Sequence, residues 1–263
     1  MIFDTHAHYD DEAFDEDRES LIASLANNGI ARVVNIGADL KGSRASVELA
    51  EKYDFIYAAI GAHPDNAKEI DDAGIALLKE LSNNKKVVAI GEIGLDYYWS
   101  KDNMEEQKEA FSRQINLARE LSLPIVIHSR DAAKDTMDIL KEEDAGAIGG
   151  VMHCFSYSTE IAREVVDMGL YIGVGGVVTF KNGKKLREAL LEVPLDKIVL
   201  ETDCPYLAPE PRRGSRNSSL NLPYVVKAIA DIKEASVEEV MKTTYNNACR
   251  MYRINNEEQT WHI

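Results

Sequence analysis

Short runs of β-branched and aliphatic residues recur eight times along this chain, and each interval between them leaves room for one amphipathic helix. The runs fall at 2–8, 32–37, 56–62, 87–95, 124–129, 149–155, 170–174 and 197–204, with the clearest helical patterns at 104–121, 132–141, 159–168 and 237–252. Segments such as Val33-Val34-Asn35-Ile36 and Ile198-Val199-Leu200 are too uniformly apolar for a sheet with one wet face, which predicts parallel strands covered by helices. A strict βα alternation of this length favours closure over an open sheet. The expected fold is α/β, a (β/α)8 TIM barrel, with residues 1–263 forming a single domain.

The remaining composition narrows the function. Hydrophobic residues at 45% and charged residues at 29% are ordinary for a globular protein of this size. There is no apolar run long enough for a membrane span and no leader pattern, so the expected location is cytoplasmic, with no membrane and no obligate protein partner. Cys154, Cys204 and Cys249 show no Cys-x-x-Cys spacing, consistent with free thiols. A formal charge of −15 argues against broad electrostatic adhesion to nucleic acid or anionic lipid. Bound metal ions can nevertheless dominate the field at one site.

The polar residues collect at one end of the expected strands. His6 and His8 end the first, His63 the third, Glu92 the fourth, His128 the fifth, His153 the sixth and Asp203 the eighth; His262 alone among the histidines lies elsewhere. The C-terminal ends of barrel strands are where such folds assemble active sites. His6 and His8, two residues apart on a strand, share one face about 6.6–7 Å apart along the chain, and Asp4 joins them on that face. Imidazoles with carboxylates suit zinc, iron or manganese, whereas magnesium prefers more oxygen. His6, His8, Glu92, His128, His153 and Asp203 exceed what one tetrahedral ion takes, so either some of them meet substrate or two ions share the set. Two ions are favoured, because such pairs clamp both oxygens of an in-line displacement around a bridging carboxylate. Glu92, flanked by Gly91 and Gly94, is the expected bridge.

Two divalent ions, less the charges of Glu92, Asp203 and a bridging hydroxide, leave a cationic centre in an acidic protein, which suits a phosphate ester. Asp203 is expected to bind metal and to take the proton of the nucleophilic water, making Asp203 and Glu92 the catalytic pair. Glu201 lies deeper on the same face and is read either as an acceptor orienting a ligating histidine or as half of a buried salt bridge. His63, Arg130, Arg213 and Arg216 are candidates for substrate contact, the arginines because their forked donors match phosphate. Tyr97-Tyr98-Trp99 could stack a base or line a pocket, although such a cluster on its own is more often loop packing. No Walker sequence, Gly-x-Ser-x-Gly elbow or dinucleotide fingerprint is present. The 205–223 segment reads as a long loop at the mouth.

In order along 1–252, Asp4-Thr-His-Ala-His8, Gly61-Ala-His-Pro64, Gly91-Glu-Ile-Gly-Leu-Asp-Tyr97, Ile127-His-Ser-Arg-Asp131, His153-Cys-Phe155, Gly176-Val-Val-Thr-Phe180, Glu201-Thr-Asp203 and Arg213-Gly-Ser-Arg-Asn217 resemble the motifs of the TatD family of metal-dependent deoxyribonucleases, within the amidohydrolase-like barrels. The resemblance implies that His6, His8, Glu92 and Asp203 hold one ion and Glu92, His128 and His153 the other; the sequence does not choose among zinc, manganese and magnesium. It implies hydrolysis of DNA at single-stranded ends, often as a 3′→5′ exonuclease. Some relatives are linked to removal of D-amino acids from charged tRNA, so an aminoacyl ester is the alternative substrate, with small amides or lactones on the same barrel beside it. A metal-dependent isomerase or a binding protein is the more distant alternative. Tyr157 after Ser156, and Ser218-Ser219 after Asn217, depart from the family pattern in loops.

Overall fold

A computed structural model describes residues 1–99 and 101–255, and His262 lies outside them. The strands are β1 (Ile2–Ala7), β2 (Ile30–Ile36), β3 (Ile56–Ile60), β4 (Val87–Asp96), β5 (Ile125–Arg130), β6 (Gly150–Met152), β7 (Tyr171–Val174) and β8 (Ile198–Leu200). They form one eight-stranded sheet in the order β1-β2-β3-β4-β5-β6-β7-β8, and a parallel bridge from Ala7 to Cys204 joins the end of β1 to the segment after β8. This is the (β/α)8 barrel expected from the alternation. The helices are α1 (Arg18–Leu25), α2 (Leu40–Lys52), α3 (Asp72–Leu81), α4 (Met104–Leu121), α5 (Ala133–Glu142), α6 (Ala145–Ile148), α7 (Thr159–Asp167), α8 (Lys184–Glu192), α9 (Leu222–Lys233) and α10 (Val237–Met251). Among the described residues no helix is long and apolar enough to cross a membrane.

Contacts group the described residues into two compact units, one of Met1–Val33, Cys154–Val166 and the described residues from Tyr171 onward, the other of Val34–His153 and Asp167–Leu170. In the first unit β7 pairs in parallel with β8, Ile172 against Ile198 and Val174 against Leu200. Asn247 of α10 donates to the carbonyls of Leu195 and Ile198, and Tyr252 donates to Thr5 O at 2.8 Å, so the last helix is tied to the strands by buried polar contacts. In the second unit β3, β4, β5 and β6 pair in parallel succession. All ten residues of β4 are buried, as a strand covered on both faces requires.

Three strands end two or more residues earlier than their apolar runs suggest, β1 and β2 ending one residue early, and backbone geometry gives the reason for the larger differences. Cys154 has φ +45° and Asp203 φ +55°, left-handed values that cannot continue a ladder, so β6 stops at Met152 and β8 at Leu200. β3 stops at Ile60, and Pro64 opens a 3-10 turn, Pro64–Glu69, capped by His63. His63, His153, Glu201 and Asp203, and His8 directly after β1, therefore stand on the segments just beyond the strands rather than on them. The loop after β8 is also shorter than 205–223, because Ser219–Asn221 forms a 3-10 turn and Pro223 sits in the first turn of α9.

β4 carries one residue more than β5 between Ile90 and Ile93, a bulge that contains Gly91 and Glu92. A Cβ at Gly94, whose φ is +148°, would stand 1.9 Å from His128 O. Gly29, at φ +83°, has nothing within 4 Å of its notional Cβ. Gly94→Ala is expected to cost at least about 3 kcal/mol or to prevent folding, since strain and a backbone collision add, whereas Gly29→Ala should cost only the left-handed penalty of roughly 1–2 kcal/mol. Urea denaturation of the two variants checks the contrast.

Candidate metal centre

At the end of β1 the alternation of the strand brings His6 and His8 to one face, with their Nε2 atoms 3.1 Å apart and their rings at 72°. Asp203 Oδ1 lies 3.6 Å from His6 Nε2 and 3.4 Å from His8 Nε2. Backbone hydrogen bonds fix this approach: Asp203 N donates to His6 O at 2.9 Å, and His8 N donates to Cys204 O at 2.9 Å. The left-handed turn at Asp203 rotates its side chain out of strand alternation, a conformation that aspartate tolerates better than most residues.

Asp4 shares the face of His6 and His8 but serves as a brace. Its carboxylate accepts from Thr202 Oγ1 at 2.7 Å, Thr202 N at 3.0 Å and Ser219 Oγ at 2.6 Å. Burial pushes its pKa up, to about 6, against these bonds, which pull it down. Asp4 thus ties β1 to the segment that carries Asp203. Glu201 is buried beside Gly173, where a Cβ would meet its Oε2 at 2.2 Å, and its Oε1 accepts from Cys154 N, the residue after His153.

In the other unit, Glu92 Oε1 lies 2.7 Å from His128 Nδ1 and 2.7 Å from His153 Nε2, and these two nitrogens are 3.2 Å apart. The opposite nitrogen of His128 meets Asp96 Oδ2 at 3.1 Å. Burial opposes a charge on His128, but Asp96 and Glu92 outweigh it and raise its pKa to about 9. His63 packs its ring edge to face on His128, centroids 4.3 Å apart, and its Nδ1 accepts from Asp65 N at 3.2 Å. Gln107 and Gln114, two turns apart on α4, brace this cluster from behind. Gln107 exchanges hydrogen bonds with the backbone of Asp96, and Gln114 with the backbone of Ala62 beside His63.

Both clusters fit a divalent cation by donor chemistry. Ring nitrogens 3.1–3.2 Å apart, facing the same carboxylate oxygen, are a converging set of lone pairs, and His6, His8 and Asp203 form one group of possible ligands while His63, Glu92 and His128 form another. The negative field of Glu92 and Asp96 that raises the His128 pKa also favours a cation beside the neutral ring.

The arginines differ in availability. Arg216 is committed, its two terminal nitrogens 2.8 and 2.6 Å from the Asp17 carboxylate and its guanidinium 4.8 Å from the Phe14 ring centroid. Arg213 lies over Phe180 at 4.3 Å and Arg130 over Tyr98 at 3.8 Å, and neither makes an ion pair among the described residues. The residues that sequence reasoning missed are Asp96, Gln107 and Gln114. Asp96 stands four residues after Glu92, an even spacing that carried a signal.

A family model described as TatD related DNase matches residues 3–253. Over 255 residues the chain is 49% identical to an uncharacterized metal-dependent hydrolase of Bacillus subtilis, YabD, covering 97% of this chain and 100% of that protein. It is 34% identical over 256 residues to a protein of Cronobacter sakazakii named 3′-5′ ssDNA/RNA exonuclease TatD, covering 95% and 97%. The crystal structure of YJJV, a TatD homologue from Escherichia coli K12, matches with a TM-score of 0.90 at 29% identity, covering 97% of this chain and 98% of that one.

Asp96→Asn keeps the volume but removes the negative charge facing His128. Carboxylates that orient ligating histidines are typically worth 10- to 100-fold in metal affinity, so a loss in that range is expected, measured by competition with a chromophoric chelator.

Proposed function

Because the chain belongs to the TatD related DNase family of metal-dependent hydrolases, we propose that it cleaves phosphodiester bonds of single-stranded DNA from the 3′ end, with divalent ions that would be held by Glu92, His128 and His153 in one unit and by His6, His8 and Asp203 in the other. The observation that carries this reading is the Glu92 carboxylate, one oxygen of which faces both His128 Nδ1 and His153 Nε2 at 2.7 Å. His6, His8 and Asp203 form the other half of the ligand set, and His128 and His153 complete the Glu92 half. The relative named as a 3′-5′ ssDNA/RNA exonuclease supports the polarity and the single-stranded substrate.

Bound divalent ions would lower the pKa of water and offset the charge of the phosphate. The chain supplies the rest. Asp203, held against His6 and His8 by its backbone, takes the proton of the attacking water; oxygen bonds to phosphorus as the phosphorus–O3′ bond breaks, releasing a 5′-nucleotide and a shortened strand. Glu201 supports the site from within, as an acceptor for the backbone after His153. Arg130 and Arg213, whose guanidinium groups are not ion-paired among the described residues, contact the phosphates, and His63 contacts the substrate beside His128. Arg216 contributes through the loop it pins to Asp17.

Chelation should abolish cleavage, and one of zinc, manganese or magnesium should restore it. A 3′-labelled strand should release labelled mononucleotide at once, and a 5′-labelled strand should shorten stepwise. Asp203→Asn should lower kcat by at least about 100-fold. Cleavage that survives thorough metal removal, or turnover confined to D-aminoacyl-tRNA or a lactone in parallel assays, would contradict this reading.

A further inference from the structure

Directly after β4, Tyr98 and Trp99 hold their rings in solvent, 54% and 68% exposed, Trp99 being the most exposed large apolar side chain among the described residues. The rings meet edge to face, centroids 4.9 Å apart at 87°. Arg130, the last residue of β5, lays its guanidinium across both, 3.8 Å from the Tyr98 centroid and 5.5 Å from that of Trp99. Burial does not account for this pair, since exposed rings contribute little to a core. Nor is the loop slack: Asp96 Oδ1 accepts from Tyr98 N at 2.9 Å and Trp99 N at 3.4 Å. Below it, Tyr97 is buried and donates to Asp135 Oδ2 at 2.9 Å, which also pairs with Lys108 at 2.9 Å.

The second oxygen of Asp96 meets His128 Nε2 at 3.1 Å, so one carboxylate orients both the candidate metal ligand and the backbone that presents the two rings. Arg130 follows His128 by two residues on β5, on the same side of the strand. The platform is thereby held at a fixed offset from the cluster that would hold metal. Net charge strengthens the case. A chain of charge −15 cannot hold a polyanion by its long-range field, so strand affinity has to come from contacts at the site. Exposed rings beside a guanidinium with no ion pair among the described residues supply them: a π-face for a base and a fork for the phosphate next to it.

We propose that Tyr98, Trp99 and Arg130 form a nucleobase subsite, in which a base next to the scissile phosphodiester stacks on the exposed rings while Arg130 turns to its phosphate. The proposal rests on the phosphodiesterase reading and names the part of the substrate that the site grips. It makes the enzyme sensitive to the presence of a base but tolerant of which base, because every base offers a π-face.

Two tetranucleotides of equal charge separate stacking from electrostatics, one of thymidines and one of abasic residues. In a metal-loaded Trp261→Phe variant Trp99 is the only tryptophan of the two in the chain, and its fluorescence reports stacking directly. With phosphorothioate linkages to prevent cleavage, the thymidine strand should quench Trp99 and bind about tenfold more tightly than the abasic strand. With ordinary linkages, Trp99→Ala should raise KM for the thymidine strand about tenfold, leave kcat within about twofold, and leave the abasic strand unaffected, while Trp99→Phe restores most of the loss. Equal quenching by both strands, or a Trp99→Ala defect that falls on kcat or equally on both substrates, overturns the subsite. If the wild-type protein cleaves neither strand, the phosphodiesterase reading falls instead; quenching that still discriminates the base then leaves a base-binding platform without a nuclease.

Discussion

A carboxylate buried between two imidazoles sets the terms for everything around it. Glu92 is 4% exposed, and one of its oxygens lies 2.7 Å from a nitrogen of each of His128 and His153. A buried charge of this kind is costly unless it is compensated, and Asp96 adds a second carboxylate on the far side of His128. A proton on His128, which its two carboxylate neighbours hold up to a pKa of about 9 despite burial, offsets part of that charge. A divalent cation in the same position satisfies both the carboxylate and the ring lone pairs, and the cluster is better explained as a cation site than as a structural ion pair. The bulge at Gly91 and Glu92, the backbone approach at Gly94 and the glutamines of α4 then share one role, which is to hold these side chains in place.

The other cluster is built on a different principle. His6 and His8 owe their proximity to strand alternation alone, but Asp203 reaches them by leaving it. The backbone bonds from Asp203 to His6 and from His8 to Cys204 lock the two segments together, and Asp4 adds a buried carboxylate tied to Thr202 and Ser219. Such supporting contacts decide how closely ligands keep their geometry before any ion arrives.

Much of this was legible in the sequence because period and position coincide. Eight apolar runs at βα spacing specify the barrel, and the C-terminal ends of those runs carry the ligand candidates. The ends themselves were less legible. Left-handed backbone at Cys154 and Asp203 shortens β6 and β8, and neither residue advertises it, since only glycine or asparagine signals such a turn strongly. Helices α2 and α3 were not among the patterns singled out, although Asp39 and Asp71 cap them through Gly42 N and Gly74 N, a local signal that periodicity overlooks. The tertiary braces were invisible for a stronger reason. Nothing in the sequence singles out Gln107 and Gln114, and only the fold turns them inward onto the backbone of Asp96 and Ala62. Arg216 read as a free phosphate contact, but its pairing with Asp17 depends on residues 199 positions apart.

The proposed hydrolysis depends on divalent cations held at these clusters, and anomalous diffraction from crystals grown with manganese tests that most directly. Anomalous peaks are expected beside Glu92, His128 and His153 and beside His6, His8 and Asp203. The absence of a peak at both clusters would contradict it.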